Sequence, residues 1–206
     1  MKSYSIIRDA EYQNLSEVTL DGAILDLGGN IGSEYHTLIK GAHKFTTVNI
    51  DPSHGCDLVF DIQEKFPLEK GSFDAVLSMN VFEHIYGFHN AFSESARVLK
   101  PGGTLVFAVP FMHHIHGCPD DYMRYTKSTL EKLLLENGFK RMDIREIGQG
   151  VCSLVYQSMS GALPPFLKPF FKGIAVSVDR FFWNIAPRYR AMAERIPLGY
   201  FVVAHK

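Results

Sequence analysis

Short apolar runs separated by polar turns dominate the pattern of the chain. Seven runs have the length and residue content of strands, and they cover residues 23–27, 45–50, 57–60, 72–79, 104–109, 139–147 and 198–204. Helical spacing of apolar positions predicts helices over residues 33–40, 90–99 and 128–136. Because the strands are short and alternate with helices, the pattern predicts a doubly wound, mostly parallel sheet that is covered on both faces.

Local signals mark the ends of two predicted helices. Ser33 is expected to cap the first of them, and Gly41 to end it. Ser128 and Glu131 have capping-box spacing at the start of the last one, and Asn137-Gly138 is expected to end it.

Length and composition narrow the class of protein. The 206 residues suit one domain, with residues 1–22 as an N-terminal arm or helix. An apolar content of 46% is ordinary for a globular protein, and a net charge of −1 gives no argument for nucleic-acid binding. Three widely spaced cysteines suggest neither a disulfide framework nor a zinc ribbon, and the start of the chain lacks the apolar run of a signal peptide. A cytoplasmic location is therefore expected.

The turn after the first predicted strand carries the clearest ligand signal. Gly28, Gly29 and Gly32 let the backbone turn sharply, and Asn30 tolerates a left-handed conformation. A strand, a glycine-rich turn and the start of a helix together predict a nucleotide site in which backbone N–H groups face an anion. The alternative is a tight turn with a purely structural role.

Two aspartates strengthen the ligand hypothesis. Asp51 and Asp61 end the second and third predicted strands, at the edge where open α/β sheets bind ligands. An acidic residue at the position of Asp51 can accept hydrogen bonds from two ribose hydroxyls. The turn does not supply the GxGxxG pattern of dinucleotide-binding folds, which disfavours a nicotinamide-dependent oxidoreductase.

The chain resembles the class I, Rossmann-like, S-adenosylmethionine-dependent methyltransferases, in particular the branch that methylates metabolites, sugars and lipids. The segments that carry the resemblance read ILDLGGNIG, VNID, FDI, FDAVLSMNVFEHI and RVLKPGGTLVFAVP, and they follow the family's order and spacing. The resemblance implies a seven-stranded Rossmann-like fold with its core in residues 23–147 and its last strand in residues 198–206. It also implies S-adenosylmethionine as cofactor and S-adenosylhomocysteine as product.

The resemblance assigns cofactor contacts to individual positions. The methionine part would be framed by Asp26, Gly28, Gly29 and Gly32 and lined by Ser78, Met79 and Asn80; the ribose would be bound by Asp51, and the adenine by Asp61 and Ile62. Asn30, where family members often have a glycine, and Pro52, next to Asp51, are counted with these positions.

The acceptor is expected beside residues 109–126, which follow the fifth predicted strand. From His116 onward they resemble an HxxPxDYxRYT segment of family members that are often encoded with enzymes of glycan or lipid-carrier biosynthesis. We expect His116 to act as general base, because a near-neutral pKa suits deprotonation of a hydroxyl or amine. Asp121 is expected to orient it, and Arg124 or Tyr122 to hold the substrate. The alternative is a structural network of the same residues.

A metal site is the competing interpretation of this segment, with His113, His114, His116 and an aspartate pair as ligands. The spacing fits no standard metal motif, and adjacent histidines on an extended strand point to opposite sides, so no metal ligand is assigned. Glu83-His84, after the fourth predicted strand, is expected to have a structural or cofactor-pocket role rather than a catalytic one.

Residues 148–197 form a long connection of a kind that is usually functional. They are rich in aromatic and basic residues and carry a net charge of +4, against about −5 for the rest of the chain. Apolar residues between Ile174 and Ile185 recur at helical spacing and predict an amphipathic helix, whereas residues 147–167, although uncharged, hold too many glycines, serines and prolines for a spanning helix. Three roles stay open: a lid packed on the domain, a homodimer interface, or contact with an anionic membrane at the inner membrane face.

The sequence thus predicts a methyltransferase that moves a methyl group from S-adenosylmethionine to an oxygen, in preference to a nitrogen, of a small molecule. A saccharide or a lipid-linked glycan is the expected acceptor. A catalytically silent binding module is the second hypothesis, and the intact set of Asp26, Asp51 and Asp61 argues against it.

Overall fold

Seven strands and six α-helices alternate along the part of the chain that the computed structural model describes, residues 5–117, 120–148 and 150–206. The strands are β1 (Gly22–Leu27), β2 (His43–Asn49), β3 (Leu58–Val59), β4 (Phe73–Met79), β5 (Leu99–Pro110), β6 (Arg141–Ile147) and β7 (Gly199–His205). The helices are α1 (Ile6–Leu15), α2 (Phe88–Val98), α3 (Lys127–Glu136), α4 (Val151–Met159), α5 (Lys168–Ile185) and α6 (Pro187–Ala193).

The strands form a single sheet in the order β3-β2-β1-β4-β5-β7-β6. The first five strands run parallel, whereas β7 is antiparallel to both β5 and β6. The strand order reverses between β1 and β4, and a crevice for ligands opens at such a point at the carboxyl ends of the strands. The predicted seven-stranded, mostly parallel sheet is confirmed.

Apolar layers cover both faces of the sheet. Successive residues of β4 point to opposite sides, so that Val76 packs in one buried cluster and Leu77 in the other. The first cluster contains side chains of α2 and α3, and the second contains side chains of α1, α4 and α5. This two-sided burial explains why the strands are apolar along most of their length.

The α-helix predicted over residues 33–40, after the first strand, does not form. Residues Glu34–Leu38 form only a short 3₁₀-helix, and Ser33 makes no side-chain cap to it. Tyr35 Oη and His36 Nε2 both bind Oδ2 of the buried Asp26, and these contacts tie the segment to the first strand. The expected α-helix N-terminus facing an anion does not form in this segment.

The start of α3 differs from the expected capping box of Ser128 and Glu131. The N-cap is Thr126, whose Oγ1 accepts a hydrogen bond from Thr129 N–H at 3.3 Å. The helix end is as predicted, because Gly138 adopts a positive φ of 84° directly after Asn137.

A buried carboxylate organises the helices between β6 and β7. Asp179 of α5 accepts hydrogen bonds from Cys152 N–H at 2.9 Å and Ser153 N–H at 2.6 Å, in the first turn of α4. Tyr189 of α6 donates its hydroxyl proton to the same side chain. One aspartate therefore joins all three helices, although it lies 27 residues from the helix that it caps. None of the helices in the described ranges has the length and hydropathy needed to cross a bilayer.

Replacing this aspartate tests its role. We expect Asp179→Ala to lower the free energy of unfolding by about 1–3 kcal/mol, because buried N–H donors lose their acceptor. The rate of hydrogen exchange at the amides of Cys152 and Ser153 should increase in the same variant. Glu194→Ala, at an exposed glutamate of the same connection, is the control, and an unchanged urea midpoint for Asp179→Ala would contradict the assignment.

Candidate active site

The glycine-rich turn after β1 is built on a buried aspartate. Asp26 is fully buried, and its Oδ2 accepts hydrogen bonds from Tyr35 Oη at 2.8 Å and His36 Nε2 at 2.6 Å. Burial raises the pKa of Asp26, and these hydrogen bonds act in the opposite direction. A Cβ at Gly29 would overlap Asp26 Oδ2, so only glycine fits where the turn crosses the carboxylate. Asp26 thus supports the turn from beneath.

A cavity of about 780 Å³ lies at the carboxyl ends of the first four strands. Ligand pockets for small molecules span about 300–1,000 Å³. The lining comes from the turns after each strand and from the segment after β5, and comprises Gly28, Asn30, Val48, Asn49, Ile50, Asp51, His54, Phe60, Asp61, Ile62, Gln63, Asn80, Val81, His84, Ile85, Asp120 and Tyr122. The mixture of apolar side chains and a few acidic groups is typical of a nucleoside pocket.

The two aspartates at the ends of β2 and β3 both line this cavity. Asp51 Oδ1 accepts a hydrogen bond from Ser53 N–H at 2.8 Å, and this bond lowers the pKa of Asp51. Asp61 Oδ1 accepts one from Gln63 N–H at 2.9 Å. Each carboxylate is thus oriented by the turn that follows it, as an acceptor of ligand hydroxyl or amino protons requires.

The turn after β4 contributes a residue in an unusual conformation. Among the described residues, Asn80 is the only non-glycine with a positive φ, 55°. Its N–H donates to Ala108 O at 2.9 Å, and its side-chain amide donates to Glu11 Oε2 at 3.0 Å. Left-handed backbone at a cavity wall costs free energy and is concentrated at functional sites. The buried contact with Glu11 of α1 holds Asn80 in this conformation.

The structure separates the twelve predicted cofactor positions into two groups. Six of them line the cavity: Gly28, Asn30, Asp51, Asp61, Ile62 and Asn80. The other six, Asp26, Gly29, Gly32, Pro52, Ser78 and Met79, lie in the same turns and strands but outside the lining. Ser78 is fully buried within β4, and its hydroxyl has no hydrogen-bond partner among the described residues.

A bidentate ion pair stabilises the segment after β5. Arg124 donates to Asp121 Oδ1 at 2.5 Å and to Oδ2 at 2.6 Å, and also to the carbonyls of Met123 and His114. The guanidinium holds the pKa of Asp121 well below its usual range. Asp121 Oδ2 also accepts a hydrogen bond from His116 N–H at 2.9 Å. Arg124 and Asp121 therefore fix the loop around His116, and Pro119 of the same motif lies outside the described residues.

The turn after β4 anchors this loop. The carbonyl of Glu83 accepts hydrogen bonds from Tyr122 N–H at 2.8 Å and Met123 N–H at 3.1 Å. The Glu83 side chain is fully buried, and burial raises its pKa to about 8. Its Oε1 lies 3.9 Å from His116 Nε2 and 3.7 Å from His84 Nε2. Burial also lowers the pKa of His116.

Sequence reasoning missed several cavity residues. Phe60 and Val81 line the cavity and lie in the FDI and NVFEHI segments, and Gln63 directly follows FDI. Glu83 and His84 were expected to have a structural or cofactor-pocket role. His84 lines the cavity, and both residues also lie beside His116.

The buried carboxyl of Glu11 makes stability depend on pH. Burial raises the pKa of Glu11 from 4.5 to about 7, so its favourable contribution is complete below pH 4.5 and is lost as the pH rises through 7. We expect Glu11→Gln, which can still accept from Asn80, to be more stable than wild type at pH 8 by on the order of 3 kcal/mol.

Urea denaturation at pH 4.5 and pH 8 measures this difference. Little or no advantage is expected at the lower pH, and Glu34→Gln, at an exposed glutamate, controls for the loss of one carboxylate. Equal effects at both pH values would show that Glu11 is not the titrating group.

Comparisons with known proteins match this geometry. Residues 25–107 match the family described as methyltransferase domain. Demethylmenaquinone methyltransferase of Tropheryma whipplei (strain Twist) is 26% identical over 154 residues, which cover 63% of this chain and 62% of that protein. The chain thus spans less than two thirds of the length of the curated relatives that it matches.

Solved structures share the fold of nearly the whole chain. The putative methyltransferase of Haloferax volcanii, crystallised with the Trm112 methyltransferase activator, superimposes with a TM-score of 0.61 and 19% identity over 97% of this chain and 90% of that one. Phosphoethanolamine N-methyltransferase 2 of Haemonchus contortus, in complex with S-adenosyl-L-methionine, gives a TM-score of 0.56 and 17% identity over 96% of this chain and 51% of that one.

The matched domain, the seven-stranded fold and the cavity at its switch point agree with one another. Residues 25–107 match a methyltransferase-domain family, and the described part of the chain has the seven-stranded, Rossmann-like fold of solved methyltransferases.

Proposed function

We propose that this chain is an S-adenosylmethionine-dependent methyltransferase that transfers the methyl group to an oxygen of a small hydroxylated acceptor, such as a saccharide or a lipid-linked glycan. The observation that carries the proposal is the shared cavity: predicted cofactor residues Asp51, Asp61 and Asn80 line it together with Tyr122 of the predicted acceptor segment. Donor and acceptor can therefore meet inside one cavity, as a direct displacement requires.

The cavity residues suit S-adenosylmethionine. The ionised carboxylate of Asp51 is placed to accept hydrogen bonds from ribose hydroxyls, and Asp61, at the neighbouring strand end, to accept from the adenine amino group. Val48, Phe60 and Ile62 supply an apolar wall for the purine. Asn80, with its left-handed backbone, lines the cavity on the side expected for the methionine part.

Methyl transfer requires the protein mainly to position the cofactor and the acceptor. When bound, the cofactor supplies an electrophilic methyl group: the carbon–sulfur bond breaks with its electron pair going to sulfur, a carbon–oxygen bond forms, and the acceptor loses its proton. Tyr122 and His116 present polar groups where the acceptor would lie, with Asp121 and Arg124 holding the loop that carries them. This arrangement supports Asp121 and Arg124 as positioning residues rather than substrate ligands.

Cofactor binding is the first test. Asp51→Asn should weaken the binding of S-adenosylhomocysteine about tenfold or more, because hydrogen bonds to a charged acceptor contribute about 1.5–3 kcal/mol. Isothermal titration calorimetry on wild type, Asp51→Asn and the exposed control Glu64→Gln measures the affinities. Failure of the wild type to bind S-adenosylhomocysteine would contradict the proposed function. Binding without methyl transfer to any hydroxylated acceptor would favour the catalytically silent binding module.

A lipid-linked acceptor would also fit the outer surface of α5. The periodicity predicted an amphipathic helix, and α5 points its apolar stripe outward: Phe170 is 64% exposed and Phe181 59%, whereas Asp179 faces the domain. Ile174 and Ile185 continue the exposed stripe. The exposure of these side chains favours a role in which this face meets a partner over a lid that packs it on the domain.

The charge of this connection favours a membrane as the partner of the exposed stripe. Arg180 of α5, Arg188 of α6 and Arg195 after α6 are exposed, in a connection whose net charge is +4. Aromatic side chains beside basic residues bind the interface of anionic bilayers. We therefore propose peripheral docking of α5 on an anionic membrane, which would bring a lipid-linked acceptor to the cavity.

Vesicle flotation tests this docking. We expect the wild type to float with phosphatidylserine-containing vesicles at low salt, and Phe170→Ser/Phe181→Ser to lose about tenfold or more of the affinity, because burial of each ring contributes about 1.5–3 kcal/mol. Leu135→Ser, at an exposed leucine of α3, is the control. No flotation of the wild type, or self-association through the same two phenylalanines in sedimentation equilibrium, would contradict membrane docking.

A further inference from the structure

Three side chains from two segments converge beside the cavity. Glu83 and His84 belong to the turn after β4, and His116 to the loop after β5. Glu83 Oε1 lies 3.7 Å from His84 Nε2 and 3.9 Å from His116 Nε2. One ligand atom from each of the three residues can be chosen so that all lie within 4.8 Å of one another. His84 also lines the cavity, which places the cluster at its wall.

The second ring nitrogen of each histidine is already engaged. His84 Nδ1 lies 2.5 Å from Asp120 O, and His116 Nδ1 lies 3.3 Å from His114 O and 3.5 Å from Asp121 Oδ2. Carbonyl and carboxylate oxygens only accept, so Nδ1 is the donor in each contact, and in the neutral ring Nε2 is then free to offer a lone pair. Both Nε2 atoms lie within 4 Å of Glu83 Oε1.

The carboxylate that they face lacks a donor. Glu83 is fully buried, and neither side-chain oxygen has a hydrogen-bond partner among the described residues. Arg124, the nearest basic residue of the loop, is bound to Asp121. Three side chains with electron-pair-donor atoms thus converge where no other described residue donates a hydrogen bond to Glu83. A cation that joins them would give the buried carboxylate oxygens the partner that they lack.

We propose that Glu83, His84 and His116 bind a divalent transition-metal cation of the zinc class. Two imidazole nitrogens and one carboxylate oxygen match the ligand sets of catalytic zinc and of related first-row ions, and imidazole disfavours magnesium and calcium. Histidine ligands typically donate their other N–H to a carbonyl or carboxylate, as both do here. Ligand atoms around a tetrahedral zinc lie about 3.4 Å apart at bond lengths near 2.1 Å, so binding requires only a small contraction of the cluster.

The site rests on the proposed function and makes it more specific. A cation in this position would polarise the acceptor hydroxyl and lower its pKa, so that the proton leaves to water as the carbon–oxygen bond forms. His116 would then be a metal ligand and not a general base. Asp121 would then be a positioning residue that orients His116, and the ion pair with Arg124 fixes Asp121 in place.

Metal titration of the full, tag-free chain tests the site. After dialysis against a chelator, calorimetry with Zn²⁺ and visible absorption with Co²⁺ should show one site per chain, with Mg²⁺ as the comparison ion. Glu83→Gln and His116→Ala should each lower Zn²⁺ affinity at least a hundredfold, and Asp121→Asn about 10- to 100-fold. His89→Ala, outside the cavity and the cluster, should bind Zn²⁺ like wild type.

The outcomes separate this site from the cofactor site. S-adenosylhomocysteine should bind the chelated protein and Glu83→Gln as it binds wild type, which also verifies their folding. Absence of stoichiometric Zn²⁺ and Co²⁺ binding, or equal binding by Glu83→Gln, would overturn the metal site and leave the proposed function intact. Methyl transfer at full rate after exhaustive chelation would overturn it as well, and would return His116 to the role of base.

Discussion

Two main-chain hydrogen bonds tie the loop after β5 to the turn after β4, and the geometry of the whole site depends on them. Tyr122 and Met123 both donate to the carbonyl of Glu83. The same turn begins at Asn80, whose amide is bonded to β5 and whose side chain reaches α1. Because one short turn holds both sides, the donor pocket and the acceptor segment cannot move independently. A displacement of the turn would change the distance between the reacting groups.

The position of the ligand site at the carboxyl ends of the strands was predictable, because the topology of a parallel sheet determines it. Once the strands are parallel, Asp51, Asp61 and Asn80 must come together at one end, whatever their neighbours are. The local backbone was not predictable in the same way. Tyr35 and His36 lie in a short 3₁₀-helix instead of the predicted α-helix, and both bind Asp26, a residue that they meet only in the folded chain.

Glu83 shows a second limit of sequence patterns. The NVFEHI segment was recognised, but its environment depends on a loop that starts more than twenty residues later. Ligand spacing within residues 113–121 suggested no metal motif, because two of the three converging side chains come from another segment. The amphipathic pattern of α5 has a related ambiguity. Periodicity predicts an apolar stripe, but the buried Asp179 decides that the stripe faces outward.

The family match includes the residues around one side of the cavity but not the segments expected to select the acceptor. It covers residues 25–107 and therefore the turns that surround the donor side of the cavity, including Glu83 and His84. Residues 111–125 and the helices between β6 and β7 lie beyond it. Relatives with one fold can thus share a cofactor and differ in acceptor. His116 joins the two regions, because it comes from the unmatched loop and meets two residues of the matched turn. If methyl transfer takes place at that junction as proposed, a single histidine would couple acceptor choice to catalysis.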